Sequence, residues 1–301
     1  MSAAAYSHVP VMLKEVMTYL SPRAGGRFLD ATLGAGGYTL ALAEAVGPKG
    51  QILALDLDEE AIKNAARLIK KKKLSNIILV PKNFKNPALA VKEAFQKNLK
   101  FDGLVFDLGL SSAQLADSKR GFSFSGDRPL DMAFGAKSPR STLDIVNRYS
   151  LLELTRIFRD YGQERYAYPI ARALVKARAS HRLKSTAELV AIITSVVPYR
   201  FPKRLHPATK VFQALRMETN GELANLALAL PAALKLLKSG GRLVVVSFHS
   251  GEDRIVKNFF REAQAAGALK ILTKKPLPPT VAEITANFRA RSAKLRAAFK
   301  L

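Results

Sequence analysis

The stretch Arg27–Ala45, RFLDATLGAGGYTLALAEA, decides the fold. Phe28–Leu33 is a short apolar run that ends in Gly34, Gly36 and Gly37, and Tyr38–Ala45 returns to helix formers. That order predicts a strand, a tight loop and a helix. Glycine lets a backbone adopt positive φ and approach a ligand closely. A helix that starts at such a loop directs free N–H groups into the same space. Asp30 sits near the strand end. A second strand, Gln51–Leu57, carries Asp56 near its end, about 20 residues beyond the glycines, where a carboxylate can accept hydrogen bonds from both hydroxyls of a ribose.

Thr39 occupies the place of the third glycine in the dinucleotide fingerprint, which argues against a nicotinamide cofactor. Two acidic strand ends flanking a glycine turn fit a nucleoside with little phosphate. S-adenosylmethionine (SAM) is such a ligand: it needs an acceptor for its ribose and room for its aminoacyl arm, and has no pyrophosphate to cradle.

Outward from this stretch the strand–helix rhythm continues. Val11–Leu20 has apolar residues at helical spacing, and Glu59 to about Lys73 is a helix with acids first and lysines last, as the helix dipole favours. Ile77–Val80 is a third strand, followed by Phe84, and Phe101–Asp107 a fourth. Alternating βα units predict a parallel sheet, with ligands beyond the carboxyl ends of its strands. Asp30, Asp56, Phe84 and Asp107 then stand at four successive strand ends. Phe84 there either covers an adenine ring or plugs the edge of the core.

After Ser112 the rhythm breaks. The segment from 113 to 139 is loop-rich, with aromatics among Gly, Ser and charges, and helical segments follow at about 143–160, 164–179, 186–197 and 208–237. Arg242–Phe248 is a core strand, and Leu269–Thr273 the expected last strand. The expected organisation is therefore an α/β domain, 1–112 with 208–301, interrupted by an inserted helical domain, 113–207.

The formal net charge is +24 with pI ≈ 10.3, and residues 159–210 hold eleven Lys/Arg against three acids. Such an excess exceeds what i,i+4 pairing balances and suits a polyanion, nucleic acid ahead of an anionic membrane surface or a general Lys/Arg bias, though charge alone names no substrate. Arg289, Arg291, Lys294 and Arg296 in the basic tail are candidate phosphate contacts. There is no cysteine, so disulfides, thiolate metal sites and cysteine nucleophiles are excluded. Four widely spaced histidines, His8, His181, His206 and His249, argue against a zinc cluster. Apolar runs are too short for a membrane span, and the first residues lack the pattern of a secretory signal.

Eight blocks carry a resemblance: HVPVMLKEV (8–16), DATLGAGGY (30–38), FDLGLSSAQL (106–115), RGFSFSGDRPLDM (120–132), YGQERYAYPIARAL (161–174), HPATKVFQALRMETNGEL (206–223), GGRLVVVSFHSGEDRIVK (240–257) and RARSAKLRA (289–297). In this order they closely resemble the bacterial ribosomal RNA small subunit methyltransferase H family, also called MraW. The resemblance implies a Rossmann-like class I SAM-dependent sheet of seven mostly parallel strands with an inserted helical substrate lobe. It implies a cytoplasmic enzyme that methylates N4 of a cytidine in the decoding centre of 16S rRNA, with no membrane or DNA partner. By motif, Gly36, Gly37 and Tyr38 line the SAM site, Asp56 is the ribose acid, Phe84 the adenine neighbour, and Asp107 and Gln114 further SAM contacts. Asp107, Ser111, Ser112 and His249 are the candidate catalytic residues, and Phe122, Phe124 and Phe248 candidate stackers on the base. The chain departs from the family at Tyr38, where many members have His, at Gln163 in place of Glu, at Gly251 in place of Leu, and in GDRPLDMAFG (126–135). Two competing readings are a ribosome-assembly binding protein whose methylation is secondary or lost, and a DNA amino-methylase. The absence of an Asp/Asn-Pro-Pro-aromatic motif after the fourth strand argues against the second.

Overall fold

A computed structural model describes residues 10–97, 99–111, 114–115, 117, 119–124, 126–135, 138, 140–198 and 206–301. The chain divides into two compact units, Met1–Gly109 with Leu223–Leu301, and Leu110–Glu222.

The first unit is built on a seven-stranded sheet: β1 (Arg27–Asp30), β2 (Gln51–Leu55), β3 (Ile77–Val80), β4 (Phe101–Asp107), β5 (Leu237–Ser247), β6 (Leu269–Ile271) and β7 (Lys294–Lys300), in the order β3-β2-β1-β4-β5-β7-β6. The first five strands in sequence run parallel, and β7 pairs antiparallel with both β5 and β6. Alternation along the strands fills two cores, because successive side chains point to opposite faces. Leu29, Leu53, Leu55, Leu104, Phe106, Leu243 and Val245 bury into one face, and Phe28, Ile52, Val105, Val244 and Val246 into the other. Helices cover both, which is why the strands read as continuous apolar runs. On the first face lie α4 (Pro87–Phe95), α10 (Glu222–Leu236) and α11 (Ser250–Ala265); on the second lie α1 (Leu13–Leu20) and α2 (Gly37–Val46). The amphipathic α3 (Glu59–Lys72) buries Ala65 against Leu33 and Ala54.

The second unit is helical: α5 (Thr142–Arg148), α6 (Leu151–Asp160), α7 (Ala167–Ser180), α8 (Thr186–Val196) and α9 (Thr209–Asn220). The expected single helix at 143–160 is two helices, because Ser150 accepts from the Glu153 N–H while the Glu153 carboxylate accepts from the Ser150 N–H, a reciprocal cap that restarts the helix. The expected helix at 208–237 is also two, interrupted at Gly221, whose φ of 62° ends α9. Val211, Phe212, Ala214 and Leu215 of α9 bury with α5–α8. The helical unit therefore extends to Glu222, beyond the expected boundary at 207.

At the other end of the chain, Lys294 and Arg296, expected in a phosphate-contacting tail, lie in β7, which inserts between β5 and β6, so the expected last strand at 269–273 does not pair with β5. KLRAAFK has no β-branched residue; two flanking strands supply the β conformation that local propensity does not.

Candidate functional site

The parallel registers align the carboxyl ends of β1, β2 and β4: Asp30 pairs with Ala54 on one side and Val105 on the other. The loop beyond β1 is held by side chains from these ends. Asp30 is fully buried; its carboxylate accepts the Thr32 N–H at 3.1 Å and the Thr39 hydroxyl at 2.7 Å. The Thr32 hydroxyl accepts the Asp107 N–H at 2.6 Å, which ties the β1 turn to the end of β4. The Asp56 carboxylate accepts N–H groups from Gly34 at 2.8 Å and Asp58 at 2.9 Å. Burial pushes both Asp30 and Asp56 up to about 6, against the hydrogen bonds that favour their charged forms.

Within the turn, Gly34 and Gly36 take φ of 51° and 83°, which L side chains rarely adopt. Gly37 is glycine for a different reason: a Cβ there would meet Pro10 Cγ at 2.0 Å. The N–H groups of Gly37 and Tyr38 open α2 and have no acceptor inside the helix. Tyr38 contributes its backbone to the turn while its ring lies in the core and its hydroxyl donates to the Val11 carbonyl. Phe84 packs edge-on against Phe106, centroids 5.7 Å apart, at the rim of the core. The plugging role read from its sequence position is therefore present.

Asp107 differs from its neighbours. Its Oδ1 is buried and has no hydrogen-bond partner among the described residues. Burial, and then the charges of Asp30 and Glu252, raise its pKa well above the usual carboxylate range. A buried oxygen without a donor is costly unless something else supplies one. Just beyond, Gly109 has φ of 102°, and a Cβ there would lie 3.5 Å from the Phe248 ring.

His249 caps α11. Its Nδ1 accepts the Glu252 N–H at 3.3 Å, Glu252 Oε2 accepts the N–H groups of Phe248 at 2.8 Å and His249 at 3.3 Å, and Glu252 Oε1 lies 3.1 Å from His249 Nε2. The histidine is thereby held as a structural cap at the end of β5. Arg296, a candidate phosphate contact from sequence, is buried in a bidentate pair with Asp253 at 2.7 and 3.2 Å. It joins β7 to α11 and offers no charge to an RNA strand.

In the helical unit, Ser111 and Gln114 bond reciprocally: the Ser111 N–H donates to Gln114 Oε1 at 3.0 Å and the Gln114 N–H to Ser111 Oγ at 3.1 Å. Ser112 lies outside the described residues. Phe122 is buried, stacked with Phe134 at 5.7 Å; Phe124 is half-buried and stacks on His206 at 4.6 Å. Residue reasoning passed over the polar groups that hold this segment. Asn220 bonds Met132 O and the Phe134 N–H, both at 2.8 Å, and the Thr142 and Thr219 hydroxyls meet at 2.7 Å. Glu218 accepts from Arg140 and from the Tyr149 hydroxyl, each at 2.7 Å. Three consecutive polar residues, Glu218-Thr219-Asn220, inside an otherwise apolar-faced helix were the available signal. Thr32 was missed likewise, though it stands two residues after Asp30.

A cavity of ≈ 520 Å³ lies at the opposite, amino-terminal edge of the strands, bordered by Arg23, Gly25, Asp102, Lys238 and Arg242. Asp102 and Lys238 pair across it at 2.6 Å. No helix among the described residues is long and apolar enough to cross a membrane.

The chain is similar along nearly its whole length to known proteins. The model of the MraW methylase family matches residues 5–301. A protein of Thermomicrobium roseum named ribosomal RNA small subunit methyltransferase H is 44% identical over 311 residues, covering 98% of this chain and 94% of that one. A Carboxydothermus hydrogenoformans protein of the same name is 44% identical over 316 residues, covering 98% of each. Among solved structures, a Clostridium thermocellum protein described as an rRNA methylase superposes with a TM-score of 0.50 at 15% identity, covering 98% of this chain and all of that one. At that identity the likeness is one of fold.

Proposed function

This chain belongs to the MraW methylase family of SAM-dependent methyltransferases, and on that premise we propose that it methylates N4 of a cytidine in the decoding centre of 16S rRNA. Its relatives' names support a small-subunit rRNA substrate. The observation that carries the chemistry is the buried Asp107 Oδ1 with no partner among the described residues.

The chain's own residues fit the methyl donor. The Gly34–Gly37 turn keeps side chains off the mouth of the strands at Gly34 and Gly36, and the N–H groups of Gly37 and Tyr38 would meet the aminoacyl arm. Asp56 would receive the ribose hydroxyls with the lone pairs its two backbone donors leave free. Phe84 would border the adenine, and Gln114 would be a further contact by motif. When bound, SAM supplies a methyl carbon on a sulfonium sulfur, which keeps the bonding pair and leaves as a neutral thioether.

The nucleophile is the harder half, because the cytosine amino lone pair is delocalised into the ring. Asp107 accepts one N4–H, which fills its vacant acceptor and raises electron density on nitrogen. As the lone pair closes on the methyl carbon, the amine becomes cationic and sheds one proton. Asp107 Oδ1, already the acceptor of an N4–H, takes it. Holding the reacting atoms in line supplies up to about 7–11 kcal/mol of the barrier reduction. An aromatic stacks on the base once it is unpaired or flipped out. Phe248 and the half-buried Phe124 remain candidates, whereas Phe122 is committed to packing. Ser111 orders the backbone after β4, and His249 acts through Glu252 as a positioning residue. The helical unit recognises the RNA. The enzyme works in the cytoplasm, where small subunits are assembled.

The test is mass spectrometry of nucleosides from unmodified small subunits incubated with SAM. The wild type is expected to yield N4-methylcytidine, and Asp107→Ala is expected to lose it. SAM binding by the wild type with no methylated cytidine overturns the substrate assignment. Retention of biological role by an Asp56→Ala variant that no longer binds SAM would mark an assembly factor instead.

A further inference from the structure

Between α12 (Val281–Ala286) and β7 lies a 3-10 turn, Phe288–Ser292, with the sequence FRARS. Asn287 caps it, its side chain accepting the Arg289 N–H at 3.2 Å. Ala290 and Ala293 take the inward positions and are buried. The turn therefore presents Phe288 outward, 66% exposed. The Arg291 guanidinium lies 4.0 Å from the centroid of that ring and donates to the Phe288 carbonyl at 3.3 Å. An exposed phenylalanine normally costs free energy in water. Here the ring lies against its own arginine in a cation-rich segment: Arg289, Arg291 and Lys294 lie within seven residues, and no acid occurs from 284 to 301.

The sheet decides where this turn stands. Asp107 pairs with Val246, and Val246 with Leu295. These three residues form one row across β4, β5 and β7, so Leu295 lies about 10 Å from Asp107 at the usual strand spacing. The turn begins just before β7, on the same edge as the candidate methyl-transfer residues. On the far side, Glu283 of α12 accepts the Met12 N–H, which fastens the segment to the start of α1.

We propose that Phe288 and Arg291 form a stacking platform for an unpaired nucleobase of the RNA strand flanking the target, with Lys294 on its phosphates. Single-stranded RNA is held in this way, by aromatic faces that take any base and cations that follow the backbone. A cation-rich segment without acids, carrying an exposed ring and its guanidinium, suits a base with its phosphates better than an apolar protein surface. The platform rests on the assignment of RNA as substrate, and it adds a positioning contact outside the helical unit.

The test measures binding of an end-labelled single-stranded oligoribonucleotide by fluorescence anisotropy, in parallel with methyl transfer to small subunits. Phe288→Ala is expected to weaken single-strand binding about tenfold, while Phe288→Trp stays within about twofold and SAM affinity does not change. Lys294→Ala is expected to weaken binding and reduce the salt slope by about 0.7. Wild-type affinity in Phe288→Ala overturns the platform, whether or not methyl transfer occurs. Loss of self-association in that variant, with RNA affinity intact, overturns it in favour of a contact between copies. Absence of methylation with RNA binding that still depends on Phe288 overturns the substrate assignment and leaves the platform standing.

Discussion

Three aspartates at adjacent strand ends have been given different work by their neighbours. Asp30 is fully buried and spends its oxygens on Thr32 and Thr39, so it holds the turn. Asp56 holds the turn and retains lone pairs for a ligand. Asp107 has an oxygen with no partner among the described residues. Asp56 carries a pH prediction. Its carboxyl is pushed up to about 6 from 3.8, chiefly by burial. Its ionised form therefore costs the fold stability, and this cost sets in as pH rises from about 4 to about 6. Ribose hydroxyls donate to the ionised form, so ligand affinity moves the other way. SAM affinity should fall about tenfold from pH 7.5 to pH 5 as that form is depleted. Calorimetric titration at the two pH values checks this, with Asp56→Asn expected to bind weakly and with a much flatter profile.

Among the elements, β7 shows how a basic segment acquires a structural role. Arg296 lies 6% exposed and is matched by Asp253 on α11. Removing one member of a buried pair leaves the other charge desolvated and alone. Arg296→Ala should therefore lower stability by about 3 kcal/mol, read as a lower urea midpoint. Its RNA affinity should stay within about twofold. A fall in affinity with the midpoint unmoved would return Arg296 to the phosphate-contact class. The reciprocal caps at Ser150, Ser185 and His249 work at the same scale. Each satisfies N–H groups that a helix start leaves unbonded, and the cap at His249 also fixes the backbone at the end of β5.

For the molecule as a whole, the governing quantity is the net charge of +24. Cations on phosphates release counterions, so affinity for RNA must fall with salt. If the complex engages about six phosphates, log affinity should change with log salt at a slope of roughly −4 to −5. Binding measured from 50 to 200 mM KCl checks this, and a flat profile would mean that the surplus charge serves solubility alone. The charge and the chemistry are divided between architectures. The sheet unit carries the acids at its strand ends, and the helical unit carries the cation-rich segment 159–210, where Lys/Arg outnumber acids eleven to three.

The glycine turn, the acidic strand ends and the parallel order of the first strands were legible in the sequence, because each depends on local chemistry. A positive φ favours glycine, a buried parallel strand favours a continuous apolar run, and a helix start leaves unbonded N–H groups. The family was legible too, since long motif blocks run in order along the chain. What only the tertiary structure decided are properties of residues far apart in sequence. Arg296 became a core ion pair, KLRAAFK a central antiparallel strand, and Gly37 a seat for Pro10. Helix α9 joined the helical unit, and Phe288 was turned outward. Each depends on what a segment packs against, and burial and pairing partners are set by the folded chain rather than by neighbours along it.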